Sequence, residues 1–157
     1  MSQAYDIAES IAEVYRAQTK PALTDLAYSQ ENNFRVVYRA PYIERESIDN
    51  CEAHTFIVLG DRVVTTRDRC GYRFGYNFQV MMFRKLTSLV EDTQPGDVTE
   101  LDATLTYMEW IQEQINLPGI LRTNGQQLTQ VEIVGWPSEE LIVGGVWAAA
   151  MEFRYDS

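Results

Sequence analysis

The sequence predicts an α+β fold in a single domain, 1–157, with a mixed or mainly antiparallel sheet of about four to five strands flanked by two main helices. Three observations carry that expectation. Apolar residues recur at helical spacing in two segments, Ile7-Ile11-Val14-Tyr15 and Leu101-Leu105-Met108-Ile111-Ile115. They alternate at strand spacing in two others, Tyr72 to Met82 and Trp147 to Tyr155. The order α, β, β, β, α, β, β, with short links between successive strands, favours antiparallel pairing with both helices on one face.

Taken in order, the first helix carries Ala8 and Ala12 beside its apolar stripe and Glu9, Glu13 and Arg16 on its other faces. Pro21 should kink or restart it, because proline lacks the N–H and suits a first turn. Leu23, Leu26 and Ala27 then suggest a second short helical face, which SQENN at 29–33 stops. FRVVYRAP at 34–41 reads as a strand ended by Pro41, and 41–53 as a polar segment. HTFIVLG at 54–60 is a compact apolar strand, and GDRVVTTRDR after it is a hairpin return or a loop leaving the sheet. The next strand lies within RCGYRFGYNFQVMMFRKL, 69–86. A polar loop, 87–100, precedes the helix 101–115, which Asn116-Leu117-Pro118-Gly119 breaks. ILRTNGQQLTQ reads as a loop, VEIV at 131–134 as a short strand, GWPSEEL as a turn, and the chain closes on an alternating strand.

Composition narrows the chemistry. With 45% apolar and 23% charged residues in 157, the chain can bury a full core without a disulfide. Its net charge of −10 argues against general binding to a phosphate backbone, which draws on Lys and Arg. Cys51, Cys70 and the lone His54 cannot complete a tetrahedral zinc site by themselves, and the cysteines read as free thiols of a reducing compartment. The first residues lack the apolar run of a signal peptide, and no window is long and apolar enough for a membrane helix. His54 opens an apolar strand with no nucleophile motif beside it. No nucleophile elbow, zincin or phosphate-loop motif occurs, so neither enzyme activity nor a cofactor is expected.

The aromatic run Tyr72, Phe74, Tyr76, Phe78 invites comparison with a base-stacking platform. Alternation instead makes Tyr72 to Met82 one core face, and the glycine expected between the basic residue and the first aromatic is missing. Between Val80 and Phe83 both faces are apolar, so that end should be covered on both sides. Charge is polarised along the chain. Residues 62–85 hold Arg62, Arg67, Arg69, Arg73, Arg84 and Lys85 against the single acid Asp68. Residues 91–113 hold Glu91, Asp92, Asp97, Glu100, Asp102, Glu109 and Glu113 and no base. Two solvated faces neutralising each other within one subunit would account for this, as would a head-to-tail interface that closes a ring. The candidate interface is Arg62, Arg67, Arg69, Arg73, Glu91, Asp92, Asp97, Glu100 and Asp102, with Arg84 and Lys85 as a further basic flank.

The layout resembles the tail terminator (tail completion) proteins of long-tailed bacteriophages. The resemblance rests on the strand Phe78 to Lys85 ending in basic residues, the acidic-led helix Leu101 to Ile115 and the closing strand Trp147 to Tyr155. It covers nearly the whole chain through apolar alternation, with no catalytic residues to carry over. It implies a small α+β unit in a homohexameric ring, seated in the virion neck on the last ring of the tail tube protein. Such a ring stops tube growth and offers a docking face to a head–tail connector or stopper protein, while viral DNA passes through its lumen without specific binding. Arg62 to Arg73 falls where the family has a loop or arm leaving the sheet. The loops at 41–53 and 116–130 are longer than a minimal unit requires. The alternatives are another neck component (a head-completion or stopper protein), a dimeric cellular α+β ligand-binding domain and, least favoured, an enzyme with a solvent-filled pocket.

Overall fold

The computed structural model describes residues 2–24, 26–39, 52–85, 98–135 and 146–157. Helix α1 spans Gln3–Ala17, capped by Ser2, whose hydroxyl accepts from the Tyr5 N–H, and it buries Ile7, Ala8, Ile11, Ala12 and Tyr15. Strands β1 (Ala27–Tyr28) and β2 (Arg35–Val37) are short, and the long hairpin β3 (Glu52–Asp68) and β4 (Gly71–Lys85) follows. Helix α2 is Val98–Glu113, extended by a 3-10 turn, Gln114–Asn116, and followed by the single-turn α3, Pro118–Leu121. Strands β5 (Arg122–Thr123), β6 (Gln126–Gly135) and β7 (Val146–Asp156) complete the chain.

The sheet corrects the expected architecture. Seven strands form one curled mixed sheet, a half-barrel, in the order β1-β3-β4-β7-β6-β5 with β2 also paired to β3. The protein is therefore mostly β, not a sheet of four or five strands flanked by two helices. Each discrepancy has a local cause. Residues 23–27 carry two leucines and an alanine but add no helix: Ala27 and Tyr28 pair parallel to Glu52 and Ala53. The strand expected over 34–41 shrinks to Arg35–Val37, also parallel to β3, and Pro41 lies outside the described residues. The apparent loop 120–130 holds α3, β5 and the start of β6. Asn124 and Gly125, at φ 48° and 76°, make the two-residue turn that fits strand twist and that Asn-Gly favours.

The hairpin sets the curvature. Leu59 lies opposite Phe78 and Arg62 opposite Tyr76, so Gly60–Asp61 inserts one extra residue; a second bulge falls between Val64 and Thr66. A Cβ on Gly60 would stand 2.6 Å from the Asn77 carbonyl oxygen, so only glycine fits that bulge.

The core lies between the sheet and the helices. Along β4, Tyr76, Phe78, Val80 and Met82 are buried on the helix side, beside Met151, Phe153 and Tyr155 of β7. Phe56, Val58, Phe83, Val146 and Ala148 form a second buried cluster on the opposite face at the far end of the sheet. Double burial at Val80–Phe83 thus matches the sequence pattern. Tyrosine hydroxyls tie the layers together: Tyr15 donates to the Ile111 carbonyl at 3.0 Å and Tyr155 to the Ile120 carbonyl at 2.6 Å. Tyr76 donates to Gln3 Oε1 at 3.0 Å. Tyr15 stacks on Phe34 with centroids 4.5 Å apart, and Tyr107 stacks on Trp110 at 5.8 Å. Helix α2 is rolled from the expected face. Ala103, Thr104, Tyr107, Met108 and Ile111 are buried, while Leu101, Leu105 and Ile115 pack at the margin.

Candidate assembly surface

Strand β7 ends its pairing with β4 at Asp156, opposite Gly75. The hairpin continues past that point to the turn at Arg69–Cys70, a projection of about 14 Å at strand rise per residue. Residues 62–73 are therefore a projecting hairpin arm and not an irregular loop. Its side chains follow the strand period. Val64 pairs with Phe74, so Val64, Tyr72 and Phe74 continue the helix-side face beyond the helices. Val64 and Tyr72 are each 55% exposed, which corrects the expectation that Tyr72 belongs to the core.

The predicted basic residues separate into different roles. The Arg62 guanidinium lies 3.6 Å from the Phe74 ring centroid, a close cation–π stack that stiffens the base of the arm. Arg69 and Arg73 are exposed, at the turn and on β4. Arg67 pairs through its backbone with Tyr72, and its side chain lies outside the described set. Arg84 is the main correction to the basic flank. It is 0% exposed, and its Nη1 donates to the Glu100 carbonyl at 2.9 Å and to the Thr104 hydroxyl. It anchors the first turns of α2 to β4 and cannot grip a neighbour. Alternation carried the signal, because Arg84 continues the even-numbered core face of Tyr76 to Met82.

The predicted acidic partner surface does not form one patch. Glu91, Asp92 and Asp97 lie outside the described residues. Glu100 is only 4% exposed and sits against Arg84, whereas Asp102 faces solvent. A different acidic feature, unnoticed in the sequence, lies on the outer face of the sheet. Glu132 of β6 stands directly opposite Glu152 of β7. Both line a hollow of about 240 Å³ together with Asn77, Gln130 and Arg154. Like charges in directly opposed positions repel. The nearby Arg154 lies with its Nε 3.4 Å from Asp156 Oδ1.

Strand β6 is also an edge. Past Gln126–Gln127, which pair with β5, no described strand lies on its outer side. Val131 and Ile133, opposite Phe153 and Met151, point to the helix side yet remain 39% and 47% exposed, because the helices stop short of this margin. An edge with half-exposed β-branched residues is a template for strand addition.

His54 is 8% exposed within β3, its Nδ1 3.0 Å from Asn32 Nδ2 and its Nε2 3.7 Å from Glu52 Oε2. That setting joins β3 to the segment before β2. Among the described residues no group of three or more His, Cys, Asp or Glu could hold a metal ion, and no helix is long and apolar enough to cross a membrane. Cys70 is exposed at the hairpin turn. Burial pushes the Lys20 pKa down beside the rings of Tyr28 and Phe34, each 5.7 Å from its Nζ. What the surface offers is shape and charge for association: a cationic, aromatic arm at one end of the sheet and an open, acid-flanked edge at the other. No protein-family model matches the chain, and no curated protein matches it.

Proposed function

We propose that the chain is a structural virion protein of the tail terminator kind. In this reading, copies close head to tail into a ring that caps the tail tube, stops its elongation and presents a docking face to the head connector. The observation that carries the proposal is the pairing of a projecting arm with an unpaired edge on the same subunit, since two unlike surfaces generate rings whereas a single self-complementary patch generates dimers. The sequence resemblance supplies the tail and the sixfold count. The net charge of −10 suits a lumen through which DNA slides, because like charges forgo tight phosphate contacts. The chain's own residues then act through packing and charge, and the reading needs no catalytic group or cofactor.

Native mass spectrometry of the purified chain, alone and mixed with tail tubes, tests the ring. A closed ring of like subunits, with tubes that no longer lengthen once it is added, is the expected result. A stable dimer that ignores tubes would remove the proposal. A ring that binds heads and leaves tube length unaffected would move the assignment to a stopper or head-completion protein.

A further inference from the structure

The geometry points to one specific contact between copies: Tyr72-Arg73-Phe74 at the end of β4 adds to the open edge of β6 at Val131-Glu132-Ile133 of a second copy, extending one continuous sheet. This rests on the head-to-tail reading above and names its two surfaces.

Both segments lack a described neighbouring strand on the side in question. Strand β7 stops opposite Gly75, so the last residues of β4 run on beyond it. Strand β6 runs past β5 after Gln127. Strand addition satisfies backbone donors and acceptors on both edges at once, and the side chains decide which edges match.

The side chains match face for face. On β4, Tyr72 and Phe74 share the helix-side face and Arg73 lies between them on the outer face. On β6, Val131 and Ile133 share the helix-side face and Glu132 lies between them on the outer face. Joining the two edges with their helix-side faces in common sets aromatic against β-branched residues on one side and arginine against glutamate on the other. A flip of either strand would oppose charge to apolar surface, so the alternation fixes the orientation. Arg73 would also meet Glu132 where it already faces Glu152, relieving a like-charge pair that one subunit holds on adjacent strands. The half-exposure of Tyr72, Val131 and Ile133 is the apolar surface this contact would cover.

Photo-cross-linking tests it. Ile133 is replaced by benzoylphenylalanine in the full chain, and light and isotope-labelled copies are mixed at the highest soluble concentration before irradiation. The expected product joins Ile133 of one copy to the Gly71–Tyr76 segment of another. Arg73→Glu should lower that yield by about tenfold or more, and adding Glu132→Arg to it should restore the yield. Cross-links only within one chain, or to another segment of the second copy, overturn the contact, as does an Arg73→Glu yield equal to that of the parent. Native mass spectrometry on the same sample separates the two levels. A ring cross-linked elsewhere removes this contact and leaves the ring standing. The expected cross-link inside a complex of only two copies keeps the contact and removes the ring.

Discussion

Arg84→Ala is the sharpest test of how the basic residues divide between fold and assembly. The guanidinium is fully buried and donates through Nη1 to the Glu100 carbonyl and the Thr104 hydroxyl. Hydrogen bonds from a charged donor contribute about 1.5–3 kcal/mol each. The loss is partly offset, because Thr104 still donates its hydroxyl to the Glu100 carbonyl at 2.8 Å. Truncation also removes the aliphatic stem that packs beneath α2. The net expectation is about 3 kcal/mol of lost stability, or about 6–12 °C in Tm for a chain of this size. Arg84→Met, which refills the space without the bonds, should cost about half of that. Urea unfolding followed by far-UV circular dichroism reads the midpoint, and an unchanged slope identifies the loss as one of stability. Arg69→Ala, at the exposed turn, should leave the midpoint in place. An Arg84→Ala cost below about 1 kcal/mol, accompanied by weaker self-association, would refute the reasoning and return Arg84 to the interface.

Other consequences follow from the same contacts. Gly60→Ala drives a Cβ to 2.6 Å from the Asn77 carbonyl oxygen; thermal unfolding should show a loss of about 1–3 kcal/mol, and an unchanged Tm would mean the bulge is not required. Tyr155→Phe removes the 2.6 Å bond to the Ile120 carbonyl, at an expected cost of about 1–2 kcal/mol in denaturant titration. Burial holds the Tyr28 hydroxyl up to about 12 and pushes those of Tyr15, Tyr107 and Tyr155 up further, with the Thr55 hydrogen bond offsetting part of the rise at Tyr107. A folded pKa above the unfolded value means that stability is intact below about pH 10 and is lost as pH rises through about 12. Ultraviolet titration should therefore show exposed Tyr72 ionising in the ordinary range and the buried tyrosines ionising only together with unfolding. Early ionisation of all tyrosines with the fold intact would contradict the packing described.

The sequence revealed most where one period dominated. The closing strand Trp147–Tyr155, the buried run of β4 and helix α1 each follow a clean alternation or helical stripe, and each forms where the pattern places it. It was less informative where pairing, not composition, decides the element. Ala27–Tyr28 and Arg35–Val37 are strands because β3 offers them a parallel edge, and nothing local distinguishes them from loop or helix. The Asn124-Gly125 signal for a hairpin was present but overshadowed by the polar residues around it. At the candidate surface, the arm was legible in its arginines, although Arg84 shows that charge alone does not mean exposure. The Glu132–Glu152 pair was not legible, because the two residues are separated in sequence and meet only through the β6–β7 register. Open edges have no sequence signature either, since they record which strand is absent beside them.

The measurement closest to the central claim is tail length in particles assembled without this chain. Electron microscopy should find tails that overrun their normal length and fail to join heads, with normal length restored when the chain is supplied again. Tails of normal length beside heads that leak DNA would contradict the terminator account and favour a stopper.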